Sequence, residues 1–369
     1  MIPSIARRAT TAFGLLLLTS PANWRVVPGP PRTAPPKVGH VFVIVLENEG
    51  FDSTFRAGTL APYLADTLAK RGAFLRQYYG ISHFSLPNYI AMISGIAPTR
   101  TTQADCSRYA DFVETGMSPD GQPIGSGCIY AAHVQTLANQ LEAKGLTWKA
   151  YMEDMGKDST REESTCGHAT LGSLDSTARA TPGDQYAAKH DPFVYFHAIL
   201  DTPSCKRNVV ALPALERALR SAGETPNFSF IAPSLCHDGH DRPCVSGEPG
   251  GLVSADAFLE HWVPLITSSP AFRADGLLII TFDEALSIDA TACCDEQPGP
   301  NVLNAGVNGP GGGRVGAVLL SPFIKAGTVS DAAYNHYSLL RSIEDLFGLE
   351  HLGYAGRKGL ATFGKDVWR

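Results

Sequence analysis

An α/β fold built on a mainly parallel sheet is the architecture this sequence predicts, and three observations predict it. Short apolar runs rich in β-branched residues recur along the chain, as expected for strands buried on both faces. Amphipathic segments of helical period separate them, and strands alternating with helices make parallel sheets. Beyond residue 38 there is neither an internal repeat nor a second linker, so a single domain with insertions, 38–369, is expected.

The first element is His40–Leu46, apolar at nearly every position. Leu60–Lys70 follows, with Leu60, Tyr63, Leu64 and Leu68 at helical spacing. Pro87, suited to a first helical turn, and the apolar Ile90, Met92 and Ile93 predict a helix beginning near Ser85. Val134–Ala143 repeats the helical period, and Trp148–Met152 reads as the next strand. Phe228–Ile231, Leu277–Phe282 and Val315–Leu320 are three further buried strands, and Ser338–Phe347 is a closing amphipathic helix.

The ends have a different character. Arg7 and Arg8, the short apolar run Ala12–Leu18 and Ser20-Pro21-Ala22 read as an export signal, residues 1–22. Residues 23–37 are too proline-rich for helix or central strand and form a linker. Eight cysteines without a C-x-x-C pair, joined to export, favour disulfides over zinc and a secreted or periplasmic location. Cys236 and Cys244 are the most plausible local pair. With 30 Lys+Arg against 36 Asp+Glu, a net charge of −6 and no basic run, nucleic acid is excluded as a partner. No stretch approaches the eighteen or so apolar residues of a spanning helix, so no integral membrane segment is expected.

Chemistry in such folds gathers beyond the carboxyl ends of strands. The first strand ends in Glu47-Asn48 and a later one in Asp283-Glu284, where burying carboxylates unpaired is costly. These four oxygen-bearing side chains suit a hard divalent cation, although each pair alone is more often a helix cap or solvated loop. Ser85 at a helix N-terminus, with Asn88 one turn on, is either an anion-facing group or an ordinary cap. Cys236-His237-Asp238-Gly239-His240-Asp241 packs two His and two Asp into five residues around a glycine, leaving metal binding, phosphate contact and proton transfer open. Gly311-Gly312-Gly313-Arg314-Val315-Gly316 matches a dinucleotide fingerprint only in letters, because it precedes a strand instead of opening a helix.

Taken in order, Glu47-Asn48, His83-x-Ser85-x-Pro87-Asn88-Tyr89, Lys189-His190-x-Pro192-Phe193, Asp238-Gly239-His240-Asp241, Thr281-Phe282-Asp283-Glu284 and His336-Tyr337-Ser338 resemble one known family. It is the bacterial phosphoesterase family of secreted acid phosphatases and phospholipases C, within the alkaline phosphatase superfamily. The resemblance implies an alkaline phosphatase-like sheet with helices on both faces. It implies a metal-dependent acid phosphatase working through a phosphoserine, with a phospholipase C-type phosphodiesterase as the alternative. A non-catalytic binding protein on the same fold would not need Ser85. By this resemblance Ser85, His240 and His190 are catalytic, and Asn88, His83 and Asp238 bind substrate. Glu47, Asn48, Ser85, Asp283 and Glu284 hold a divalent ion, for which all-oxygen ligation favours Mg, Ca or Mn. The partner is then a small phosphorylated substrate or a phospholipid head group. His237 and Gly239 depart from the pattern, where many relatives carry Asn and Met, and Ser287–Asn308 lies outside it.

Overall fold

A computed structural model describes Met1 and residues 36–368; the expected export signal and nearly all of the linker lie outside the described residues. Among the described residues twelve strands follow in order: β1 His40–Leu46, β2 Ala73–Leu75, β3 Tyr78–Tyr79, β4 Val113–Met117, β5 Pro123–Ser126, β6 Trp148–Met152, β7 Val209–Ala211, β8 Phe228–Ala232, β9 Gly276–Phe282, β10 Ala317–Leu320, β11 Thr328–Ser330 and β12 Tyr334–Asn335. Eight of them make one sheet in the order β11-β2-β10-β9-β1-β8-β6-β7. β10 pairs antiparallel with both β9 and β2, while the other five ladders are parallel. The remaining strands form two short pairs, β12 with β3 and β4 with β5.

The central strands explain why their sequences are so apolar. Every residue of β8, β9 and β10 is buried, as is all of β1 after His40, so both faces of the sheet centre are covered. Burying one such Val, Leu, Ile or Phe contributes about 1.5–3 kcal/mol. β1 lies between β9 and β8, with Leu46 opposite Phe282, and the chain leaving all three strands at this end carries the carboxylates.

The expected helices form with adjustments that have local causes. The Ser85–Ser94 helix is buried at all ten positions and ends at Gly95, whose φ of 68° closes it. The Leu137–Ala143 helix starts at a Thr136–Asn139 capping box, after Val134. The last helix begins at His336, because Asn335 Oδ1 accepts from Ser338 N at 2.9 Å and caps it. Over 60–70 the chain forms a wide π-turn, Tyr63–Leu68, and then a short α-turn. Asp256 accepts from the amides of Tyr63 and Leu64 at 2.9 and 2.8 Å and anchors that segment. Asp256 belongs to an 18-residue helix, Gly251–Ser268, that the sequence pattern hides behind its opening glycines and internal Pro264.

Four disulfides join Cys106–Cys128, Cys166–Cys205, Cys236–Cys244 and the adjacent pair Cys293–Cys294. The glycine-rich run before β10 serves close packing. A Cβ on Gly312 would stand 2.3 Å from the Ser82 carbonyl oxygen, so only glycine lets the two backbones meet.

Candidate active site

Ser85, Glu47 and Asp283 come together as the sequence predicts. The buried Ser85 Oγ donates to Glu47 Oε2 at 2.7 Å, fixing the hydroxyl against the end of β1. Asn48 adopts a left-handed φ of 56°, which turns the chain sharply after Glu47. Its Nδ2 donates to Glu47 Oε2 at 3.0 Å and its backbone N–H to Asp283 Oδ1 at 3.1 Å. The third carboxylate arrives from the loop after β8. Asp238 is fully buried, its Oδ1 accepts from His240 N at 2.7 Å, and its backbone carbonyl accepts from Glu47 N at 2.8 Å. Gly239 makes this approach possible: φ is 115°, and a Cβ there would lie 2.6 Å from the Glu47 carbonyl oxygen.

His190 sits between Glu47 and Asp238, with Nε2 3.3 Å from Glu47 Oε1 and Nδ1 3.2 Å from Asp238 Oδ2. Neither contact has hydrogen-bonding geometry, and both ring nitrogens are buried without a partner. The ring stacks on Tyr89, one turn along the helix from Ser85, at 5.2 Å. Burial, then the neighbouring Lys189 and His240, hold its pKa well below the usual imidazole value, so it is neutral at pH 7.

The electrostatics are lopsided. Burial pushes the carboxyls of Glu47, Asp238 and Asp283 well above the usual range; Asp283 adds to the effect at Glu47, Glu47 at Asp238, and Glu284 at Asp283. One oxygen of each, Glu47 Oε1, Asp238 Oδ2 and Asp283 Oδ2, is buried with no hydrogen-bond partner. Buried polar atoms are rarely left so. An all-oxygen cradle of this kind fits a hard divalent cation, with Glu47, Asp283, Asp238, Ser85 and Asn48 as the available donors. A separate trio, Cys236, His237 and Glu248, brings potential ligand atoms within 4.8 Å of one another, but the Cys236 sulfur is spent in a disulfide and the imidazole is taken by carboxylates.

Two expected residues are turned to other work. Asn88, expected to bind substrate, has both ends of its amide engaged: Oδ1 accepts from Ile81 N and Ser82 N at 2.8 and 3.0 Å, and Nδ2 donates to the carbonyls of Ser82 and Phe84 at 2.9 and 3.0 Å. It braces the turn that delivers Ser85. His83, also expected at the substrate, is buried, with Nδ1 bonded to Glu284 Oε2 and Nε2 bonded to the Asp289 carbonyl at 3.0 Å. Glu284 is thereby drawn to His83, while Asp283 turns to Asn48; successive side chains at a strand end point in opposite directions.

His240 is half-buried at the edge of the cluster, its Nδ1 on Asp241 Oδ1 at 2.8 Å and its Nε2 3.4 Å from Lys189 Nζ. His237 is held by Glu153 and Glu248 at 3.0 Å each, contacts that occupy both of its ring nitrogens. Lys189 and Asp105 join the site without a role expected for either from the sequence. Burial lowers the Lys189 pKa, but Asp105 and then Glu47 outweigh this and hold it at about 12. Asp105 bridges two elements: Oδ2 lies 3.2 Å from Lys189 Nζ, and Oδ1 accepts from Leu86 N at 3.1 Å in the first turn of the Ser85 helix. Lys189 stood visibly beside His190 in its motif, whereas nothing local marks Asp105.

A cavity of about 390 Å³ opens on the 292–310 segment, lined by Cys293, Cys294, Glu296 and Ala305 among others. It is not at Ser85, but its wall reaches that neighbourhood, since Ser82 Oγ donates to the Ala305 carbonyl at 2.6 Å.

Residues 59–350 match the Phosphoesterase family, a range that begins after Glu47 and Asn48. The chain is 23% identical over 315 residues to a probable acid phosphatase of Kluyveromyces lactis, covering 85% of this chain and 59% of that one. It is 26% identical over 310 residues to a phosphate-repressible acid phosphatase of Penicillium chrysogenum, covering 84% and 59%. The match therefore spans about three-fifths of the length of these two fungal proteins. A phosphatidylinositol-3-phosphatase of Mycobacterium tuberculosis is 24% identical over 364 residues, covering 98% of this chain and 94% of that one. Among solved structures, a protein in the alkaline phosphatase superfamily from Vibrio parahaemolyticus superposes with a TM-score of 0.53 at 14% identity, over 91% of this chain and 73% of that one. The expected fold is thus the observed one.

Proposed function

The chain belongs to the Phosphoesterase family, and from that premise we propose that it hydrolyses phosphate monoesters as an acid phosphatase with a seryl nucleophile and a divalent metal. The observation that carries this reading is the contact of Ser85 Oγ with Glu47 Oε2 at 2.7 Å inside a buried carboxylate cluster. A binding module has no use for a hydroxyl so placed.

Glu47, Asp283, Asp238, Asn48 and Ser85 would hold the cation, with Mg, Ca or Mn favoured by the oxygen donors; when bound, it supplies positive charge that lowers the pKa of the seryl hydroxyl. The chain's own residues do the rest. Ser85 Oγ attacks phosphorus and forms the Oγ–P bond as the ester P–O bond breaks. The Oγ proton has an acceptor in Glu47 Oε2, 2.7 Å away. His240, half-buried at the edge of the cluster, would give a proton to the departing oxygen. Water then cleaves the Oγ–P bond, and Ser85 recovers its proton. Neutral His190 lies between Glu47 and Asp238, its two ring nitrogens open to a bound phosphoryl group or ion.

Relatives named as acid phosphatases support a monoester substrate, and the one named as a phosphatidylinositol-3-phosphatase supports a phosphorylated head group. Among the described residues no helix is long and apolar enough to cross a membrane. Four disulfides support a secreted or periplasmic location.

The test is hydrolysis of an aryl phosphate monoester and a bis-aryl diester, each with and without chelator, and mass spectrometry of the acid-quenched protein. Metal-dependent monoester turnover with phosphate on Ser85 is expected. Faster diester turnover would make the protein a phospholipase C-type phosphodiesterase, and chelator-resistant turnover would reject the metal site.

A further inference from the structure

Phe84, immediately before Ser85, is the single exposed aromatic side chain among the described residues, with 45% of its surface accessible. Its backbone is also abnormal, with φ 68° and ψ 141°, a region that glycine enters freely and a bulky residue does not. The conformation is imposed from both sides. His83 is locked by Glu284 and the Asp289 carbonyl, Asn88 Nδ2 donates to the Phe84 carbonyl at 3.0 Å, and Ser85 is held by Glu47. Glycine would satisfy all of these restraints without strain. A phenylalanine stands there instead, and packing does not explain it, because nearly half the ring faces solvent. Strained residues that the surroundings over-determine gather at functional sites.

The segment connected to this turn also carries exposed apolar side chains. Leu286, Ile288 and Leu303 are 52%, 91% and 87% exposed on the segment tied to this turn through Asp289 and Ala305. Phe84 and Ser85 are consecutive, with Cα atoms about 3.8 Å apart, so the exposed ring borders the place where an ester bound at Ser85 would sit.

We propose that Phe84 is a specificity-determining residue whose ring contacts the leaving group, and that the protein favours phosphate esters of aromatic or other apolar alcohols over esters of polyols. This rests on the phosphoesterase reading of Ser85 and adds the substrate class to it.

The experiment measures kcat/KM for 1-naphthyl phosphate and glycerol phosphate in metal-loaded wild type, Phe84→Ala and Phe84→Trp. Loss of an aromatic contact predicts about a tenfold fall for the naphthyl ester in Phe84→Ala, carried mainly by KM. The glycerol ester should stay within about twofold, and Phe84→Trp should keep the wild-type ratio. The different intrinsic reactivity of the two esters cancels in each variant-to-wild-type ratio. Parallel loss of both activities would make Phe84 a brace for Ser85 and overturn the proposal, as would no change in either. Calorimetric binding of phenylphosphonate and methylphosphonate to the same proteins makes the comparison without turnover. A wild type that binds the phenyl compound more tightly yet hydrolyses neither ester would sink the phosphoesterase reading alone; equal binding of the two in wild type and Phe84→Ala would sink the role of Phe84.

Discussion

Asp283→Asn should stabilise the metal-free protein and destroy its response to metal, two effects of opposite sign from one atom. Asp283 Oδ1 accepts from Asn48 N at 3.1 Å, a bond that an asparagine oxygen keeps. Oδ2 is buried without a partner, and an unsatisfied buried group costs about 1–3 kcal/mol. An amide nitrogen in its place meets a site crowded with carboxylates and can donate to one. The metal-free variant should therefore equal or exceed wild type by up to a few kcal/mol. Metal reverses the order: a ligand at a hundred times its Kd adds about 2.7 kcal/mol, roughly 5 °C in Tm for a domain of this size. Wild type should gain that amount from Mg²⁺, Ca²⁺ or Mn²⁺, while Asp283→Asn gains little. Calorimetric melting of both proteins across a metal titration should then show the two Tm curves crossing. A variant less stable than wild type in chelator would mean that Asp283 is a structural carboxylate. Equal metal-induced shifts in both would remove it from the cation site.

Three further perturbations probe the same region. Ser85→Ala should cut turnover to below about a thousandth of wild type while shifting stability by only about 1 kcal/mol, checked by paired activity and urea-unfolding measurements; retained turnover would disqualify the nucleophile. Asn88→Ala strands four buried backbone partners and should cost on the order of 3–5 kcal/mol in urea unfolding, where a loss below about 1 kcal/mol would restore Asn88 as a substrate contact. His237 pairs with Glu153 and then Glu248, which lift its pKa to about 9 despite burial. Because the folded value exceeds the unfolded one, its stabilisation is complete below about pH 6.5 and lost as pH rises through 9, a term on the order of 2 kcal/mol after allowance for its partial exposure. His237→Gln should remove that part of the stability–pH curve, and an unchanged curve would show that the pair contributes nothing.

The sequence disclosed what is local and regular. β1 and β6 have the predicted bounds; in β1 a continuous apolar run rich in β-branched residues carries its own signal, and in β6 a short run of large apolar residues does. β2, β7 and β11 are three residues each, too short for any period to register. At the site, Glu47 and Asp283 were legible as polar residues closing apolar strands, and Ser85 as one opening a helix. The destination of a side chain was not. Asn88 looked free because its four partners are backbone atoms between four and seven residues earlier. Asp105 and Lys189 are 84 residues apart, and only the fold brings their charges together.

The helix that begins with Ser85 is buried along its whole length, which separates what can drift in this protein from what cannot. Beyond Ser85, a substitution anywhere on that helix disturbs the interior before it disturbs the reaction, so the reactive oxygen is inherited together with the core. The groups surrounding it are held differently: Asp238 and His240 ride on a loop closed by Cys236–Cys244, and Asp105 directly precedes the Cys106–Cys128 link. Such tethered loops can exchange residues or grow without repacking the sheet. New substrate preferences can therefore accumulate by change at the rim, around a reactive atom that stays where it is.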